Sequence, residues 1–335
     1  MSIHHHNNIL TNLLVQSNQK FLVLDGGMGS LLESEFHVTF NTKLWSAILN
    51  NQQQLPIVQH AHIIWLCSNA DIIITNTYQA PIDTELFMNG IVAANQARIQ
   101  YYNQFNTNQS NYNKLIAVSC GPYAALLADG SEYTGYQQTD TINHELFLYH
   151  QQKVQYVSQY KYNDTIIGYD MIAFETIPSY IELQQIIELM CLYPHIPYYI
   201  TLSCQSDVLL NDGTELNIIL NKYIEYYTLG KLINCIGIGY NCTPPQYIES
   251  LIKQTYTTLQ QYNLHNTLHI IVYPNAGQIW NAVTKTWSTT SSSDNIDQWC
   301  NWVKQWYTAG AHVIGGCCQT TPLHIKSTAA LSSNK

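Results

Sequence analysis

Charge is what this chain has least of. Only 10% of its 335 residues are Asp, Glu, Lys or Arg, against roughly 25% in an average globular protein. Basic residues are the scarcer kind: 13 Lys and Arg face 22 Asp and Glu, for a formal net charge of -9. No basic cluster occurs, which argues against nucleic acid or an anionic membrane as the main partner. Long apolar runs are also missing, and none approaches the ~20 residues of a membrane span. Residues Met1 to Asn8 lack the charged-then-apolar layout of a secretion signal. Their histidines, His4 to His6, read as a polar tip, and residues 1–15 as a loosely ordered or peripheral N-terminal segment. Asp25-Gly26-Gly27-Met28-Gly29 is glycine-rich but lacks the G-x-G-x-x-G spacing of a dinucleotide site. The H-E-x-x-H pattern of many zinc hydrolases does not occur either.

Hydrophobic residues make up 46% of the chain, enough for a sizeable core, and Asn, Gln and Tyr take over the polar surface. Eight short apolar, β-branched runs recur: Phe21–Gly27, Asp71–Thr77, Leu115–Gly121, Met171–Thr176, Tyr198–Cys204, Cys235–Asn241, His269–Asn275 and His312–Cys318. Most are near-continuously apolar, as strands buried on both faces are. Helical periodicity marks the spacers Leu55–Asn69, Asn143–Tyr160, Tyr180–Leu192, Glu215–Leu229, Pro245–Tyr262 and Asp294–Ala309. Strand-helix alternation of this kind predicts an α/β fold with a parallel sheet closed into a single (β/α)8 TIM barrel. No linker or low-complexity tract interrupts it, so residues 1–335 read as one domain. Ser288–Ser293 reads as a surface loop.

Barrel enzymes work at the carboxyl ends of their strands, and the unusual residues of this chain gather there. Asp25, Thr75 to Thr77, Gly121 and Pro122, Glu175 and Thr176, Asn241 and Cys242, Tyr273 and Asn275, and Cys317 and Cys318 all end predicted strands. The adjacent pair Cys317-Cys318 follows two glycines, which permit a sharp turn. Adjacent cysteines close too small a ring for a relaxed disulfide, yet both can hold one metal ion. Cys242 ends the sixth run, one strand away from the eighth, so about 10 Å separates the two ends, a gap that inward-leaning side chains close. Three thiolates leave one corner of a zinc tetrahedron open, the pattern of a working site. The natural fourth ligand is a substrate thiol, which the metal deprotonates. Burial as ordinary packing residues, or a structural zinc, are the alternatives for these three. Cys67, Cys120, Cys191, Cys204, Cys235 and Cys300 read as packing residues. Nine cysteines without a secretion signal fit a reducing, cytoplasmic setting.

Asp25 and Glu175 are acids at apolar strand ends, where a carboxylate is costly unless a cation or donor meets it. An incoming α-ammonium group would do so, and Thr75 with nearby backbone amides would take the α-carboxylate. Capping of a glycine turn by Asp25, and a structural acceptor role for Glu175, are the alternatives. Tyr78, Tyr123, Tyr133, Tyr136 and Trp280 are aromatics near the rim, over whose faces a cationic donor is stabilised.

With these residues in view, the chain resembles the homocysteine S-methyltransferase family from residue 21 to about 325. The resemblance is carried by Leu24-Asp25-Gly26-Gly27-Met28-Gly29, Thr75-Asn76-Thr77-Tyr78-Gln79-Ala80, Gly121-Pro122-Tyr123, Ala128-Asp129-Gly130-Ser131-Glu132-Tyr133-Thr134-Gly135 and Phe174-Glu175-Thr176-Ile177-Pro178. Asn241-Cys242, Val272-Tyr273-Pro274-Asn275-Ala276-Gly277 and Gly315-Gly316-Cys317-Cys318-Gln319-Thr320-Thr321-Pro322 complete it, the cysteine motif being the most specific. It implies zinc on Cys242, Cys317 and Cys318, with Asp25, Thr75, Glu175 and Asn241 as the substrate-binding set. It also implies methyl transfer to homocysteine, giving methionine, with no catalytic group beyond the zinc-activated substrate thiolate. The segment Asp129–Gly135 resembles the subgroup using S-methylmethionine or S-adenosylmethionine. Small-molecule partners and a monomer or small homo-oligomer are expected. The chain departs from the family at Gln319, where arginine is usual, and at Tyr240 and Cys120, where small or aliphatic residues are usual. A non-catalytic zinc-binding scaffold and betaine-dependent transfer are the alternatives.

Overall fold

The structure, a computed structural model, describes residues 8–40, 42–82, 84–105, 114–127, 131–136, 140–159, 168–277, 280–281, 286–287 and 295–334. The chain opens with helix α1 (Ile9–Ser17). Strands β1 (Leu22–Val23), β2 (Ile72–Ile74), β3 (Leu115–Cys120), β4 (Met171–Ile177), β5 (Tyr198–Leu202), β6 (Cys235–Asn241) and β7 (His269–Tyr273) follow in turn. A small antiparallel ribbon, β8 (Trp280–Asn281) with β9 (Thr286–Trp287), precedes the last long-range strand, β10 (Val313–Ile314).

The large sheet runs β1-β10-β7-β6-β5-β4-β3-β2, every pair parallel. A parallel bridge between Leu24 and Ile72 joins its two edges, supported by Asp25 N–H to Ile72 O at 3.0 Å and Asp71 N–H to Val23 O at 2.7 Å. The result is the TIM barrel the alternation predicts, with no open edge.

Outside the strands lie α2 (Met28–Phe36), α3 (Leu55–Cys67), α4 (Glu85–Gln104), α5 (Tyr123–Leu127), α6 (Asp140–Gln159), α7 (Tyr180–Met190), α8 (Leu216–Thr228), α9 (Pro245–Gln261), α10 (Ile296–Ala309) and α11 (Pro322–Ser332). Six of these coincide with the predicted helical spacers to within a few residues. The first and last strands are shorter than the apolar runs suggest. There, the backbone at Gly315 crowds Leu24 O and Asp25 O so closely that a Cβ would lie within 2.8 Å of them.

Side-chain parity divides the interior into two apolar bodies. On β3, Ile116, Val118 and Cys120 face the helices, while Leu115 and Ala117 face the barrel axis. On β4, Ile172 and Phe174 face outward and Met171 and Ala173 inward. Alternation then carries Glu175 inward at the top of the barrel. A register shift between Phe174 and Ile177 follows at once, so Ile177 returns to the outer core.

The N-terminal segment corrects one expectation. Residues 8–15 are not a loose or peripheral end: α1 closes the amino-terminal mouth of the barrel. Leu10 and Leu13 are buried among Leu22, Leu115, Ile236 and Val313. Asn8 Nδ2 donates to Ile236 O at 3.3 Å and Thr267 O at 3.0 Å, and Thr11 Oγ1 meets His269 Nε2 at 2.9 Å. Inward-facing apolar side chains at the strand starts leave a hydrophobic floor that a leucine-bearing helix covers. His4 to His6 and Ser288–Ser293 lie outside the described residues.

Candidate active site

The loop after β10 is pinned from several sides. Gly315 N–H donates to Val272 O, Gly316 N–H to Asp25 O, and Cys317 N–H to Pro274 O at 2.8 Å. Ala276 N–H donates to Cys318 O at 3.0 Å, and Thr320 Oγ1 donates to Cys317 O at 2.6 Å while accepting Gly27 N–H at 3.1 Å. Two glycines make the packing possible: a Cβ on Gly27 would lie 2.5 Å from Cys317 O, and one on Gly316 2.4 Å from Thr320 Cγ2. Past the end of β6, Cys242 adopts a left-handed backbone, φ 48°.

These turns bring the three predicted thiols together. Cys242 Sγ lies 2.7 Å from Cys317 Sγ, which lies 3.9 Å from Cys318 Sγ. All three sulfurs fall within 4.8 Å of one another, and no other such metal-competent cluster occurs among the described residues. Hydrogen bonds from Cys242 and Cys317 hold the Cys318 thiol well below the usual range. The same contacts with Cys317 and Cys318 push Cys242 well above it. Three sulfurs this close form a soft donor group suited to zinc.

The sulfurs line one cavity with Asp25, Thr75, Glu175 and Asn241, so the structure unites every predicted site residue. Asp25 Oδ2 accepts Ile74 N–H at 2.8 Å, and burial, with Glu175 nearby, pushes its carboxyl well above the usual range. Glu175 is pushed up to about 7, chiefly by burial, against the opposing effect of a hydrogen bond from Ser119 Oγ. Neither acid has a basic side chain within ion-pair distance among the described residues.

Two residues are engaged differently from expectation. Ser119 N–H donates to Thr75 Oγ1 at 3.0 Å, and Thr77 Oγ1 donates to Ser119 O at 2.8 Å. The 2.7 Å contact between Thr75 and Thr77 hydroxyls therefore uses the Thr75 proton, leaving that hydroxyl only as an acceptor. Asn241 spends its amide on Thr176, accepting from the backbone N–H at 2.7 Å and donating to Oγ1 at 2.8 Å.

Sequence reasoning missed Glu33, Trp45, Ser119 and Glu132, all of which line the cavity. Ser119 had a legible signal, a hydroxyl at an inward position of an apolar strand; the other three reach the site from helices and loops. Tyr78 lines the cavity as expected. Tyr136 instead turns to Glu182, at 3.0 Å, and packs edge-on against Tyr123. The side chains of Tyr133 and Trp280 lie outside the described residues. Cys120, Cys204 and Cys235 are buried as packing residues should be, whereas Cys67 is exposed at the end of α3 and packs no core.

The homocysteine S-methyltransferase family pattern matches residues 22–331. The chain belongs to the homocysteine S-methyltransferase family. It is 31% identical over 343 residues to the Homocysteine S-methyltransferase of Escherichia coli, covering 97% of this chain and 99% of that one. It is 30% identical over 320 residues to Homocysteine S-methyltransferase 1 of Brassica oleracea, covering 91% of each. Among solved structures, the metallated form of the homocysteine methyltransferase MmuM from Escherichia coli superposes with a TM-score of 0.74 at 26% identity, over 95% of this chain and 99% of that one. Placed within the homocysteine S-methyltransferases, the cysteine triad is a zinc site. No helix among the described residues is long and apolar enough to cross a membrane.

Proposed function

We propose that this protein transfers a methyl group from a sulfonium donor, S-methylmethionine or S-adenosylmethionine, to homocysteine, giving methionine. The observation that carries the reading is the convergence of Cys242, Cys317 and Cys318 with Asp25 and Glu175 in one cavity. Zinc held by the three cysteines supplies, when bound, the activation of the substrate thiol at neutral pH. Asp25 and Glu175 take the amino-acid ammonium group, which replaces the missing cation beside each buried carboxylate. Thr75 lines the cavity but offers the carboxylate no proton, since its hydroxyl donates to Thr77.

In the reaction, the homocysteine sulfur forms a bond to the methyl carbon as the donor's S–CH3 bond breaks. The bonding pair leaves with the donor sulfur as a neutral thioether, and the thiol proton goes to solvent. Opposite charges are consumed, so a poorly hydrated site favours the step, and alignment of the two reactants supplies the rest. Charge in the cavity supports a cationic donor: Asp25, Glu33, Glu132 and Glu175 line it, and no lysine, arginine or histidine does among the described residues.

A donor panel with homocysteine and added zinc tests the proposal. Methionine formed from sulfonium donors and not from betaine is the expected result. Turnover with betaine alone would move the protein to the other donor class, and none with any donor would favour a zinc-binding scaffold.

A further inference from the structure

We infer that Asn241 is a positioning residue that fixes the direction of Glu175 through the backbone of Thr176, and does not act by touching substrate. The inference rests on the proposed homocysteine site and concerns how that site is held in shape.

Thr176 has φ 61°. A β-branched residue in the left-handed region is strained and persists only where its surroundings enforce it. Here the enforcing group is the Asn241 side chain. Its Oδ1 accepts the Thr176 N–H at 2.7 Å and its Nδ2 donates to Thr176 Oγ1 at 2.8 Å. The amide orientation is unambiguous, because a backbone N–H can only donate. Asn241 is fully buried, so both bonds operate without competition from water. They cross the top of β5 to join β6 to β4, strands that are not sheet neighbours.

The conformation at Thr176 coincides with the register shift between Phe174 and Ile177. That bulge ends the regular alternation just after Glu175 has been turned inward, and bulges commonly re-aim a side chain in this way. Glu175 then meets the Ser119 hydroxyl and lines the same cavity as Cys317. Thr176 and Tyr78 both line the cavity wall. Asn241 immediately precedes Cys242, and its carbonyl accepts the Thr243 hydroxyl at 3.0 Å within the same turn. One residue therefore ties the acid proposed for the ammonium group to the chain segment that presents a zinc ligand. The distance between the seats for the two ends of homocysteine is set by that tie.

The test uses the zinc-loaded full chain and reads homocysteine binding by calorimetry without donor, together with the zinc-to-protein ratio. N241A should weaken homocysteine about tenfold or more while zinc content stays at the wild-type ratio. T176G supplies a residue for which φ near 60° carries no penalty, so the N241A/T176G double variant should lie within about threefold of T176G alone. Equal losses from N241A in both backgrounds would mean that Asn241 contacts substrate directly and would overturn the inference. Loss of zinc in N241A parallel to the loss of homocysteine would overturn it too, since the residue would then act on the metal loop. Should N241A fail to fold, the T176G and double-variant comparison still decides. Absence of homocysteine binding by the wild-type protein would instead count against the proposed function.

Discussion

The two ends of the barrel handle their acids in opposite ways. At the amino-terminal end, Asp71 pairs with Lys114 at 3.0 Å and accepts Val23 N–H at 3.0 Å. Asp170 pairs with Arg98 at 2.6 Å and accepts Ile116 N–H at 2.7 Å. Each carboxylate there is matched by a cation and a backbone donor just before a strand begins, under a floor sealed by α1. At the carboxyl-terminal end, Asp25 and Glu175 have donors but no ion-pair partner among the described residues, Lys153 acting on Glu175 only from farther off, and burial drives both upward. Direct ion pairs go to the end that must be rigid, and the acids of the opposite end are left for a ligand to complete. In a chain with so few charges, an unpaired buried acid is therefore more informative than a paired one.

The largest expected effect breaks the working end outright. Replacing Cys242, Cys317 or Cys318 by alanine should abolish turnover and bring the zinc-to-protein ratio close to zero in metal analysis; full zinc content in all three variants would remove the metal from the mechanism. D25N and E175Q come next. Each should raise the KM for homocysteine about 10- to 100-fold, because a charge-assisted bond to the ammonium becomes a neutral one, while zinc content is unchanged.

The pH response sharpens the contrast further. With Glu175 pushed up to about 7, its carboxylate form grows as pH rises from about 6 to about 8. Only that form pairs with an ammonium, so homocysteine affinity should rise over this range. The substrate thiol also sheds its proton more readily there, so E175Q is the control: its pH profile should be the shallower one in calorimetric titrations. At the structural end, D170N should leave KM and zinc content unchanged and cost about 2 kcal/mol of stability, since it removes the charged partner of Arg98. Thermal melting beside kinetics separates that outcome from any effect at the rim.

Much of the working end was legible because its chemistry is written in residue types that apolar strand ends do not normally carry. The thiols at 242, 317 and 318, and the acids at 25 and 175, stand out against valine and isoleucine, and strand counting alone places them at one rim. What the residues bond to was not legible. Nothing in the sequence shows that Thr75 spends its proton on Thr77, or that Asn241 turns its amide to Thr176 across an intervening strand. Glu33, Trp45 and Glu132 approach from helices and loops whose path depends on tertiary packing. Helix α1 was missed because a short apolar stretch after a polar tip has no partner face until the barrel floor exists.

That stopper at the floor has a kinetic consequence. With the lower mouth occupied by Leu10 and Leu13, both reactants and both products share one doorway. The amino acid proposed to lie deepest, against the strand-end acids, should load before the methyl donor and leave, as methionine, last. Initial-rate studies with S-adenosylmethionine, the donor whose own product is not methionine, should accordingly find methionine competing with homocysteine for the free enzyme, and simple competition between methionine and that donor instead would contradict the order.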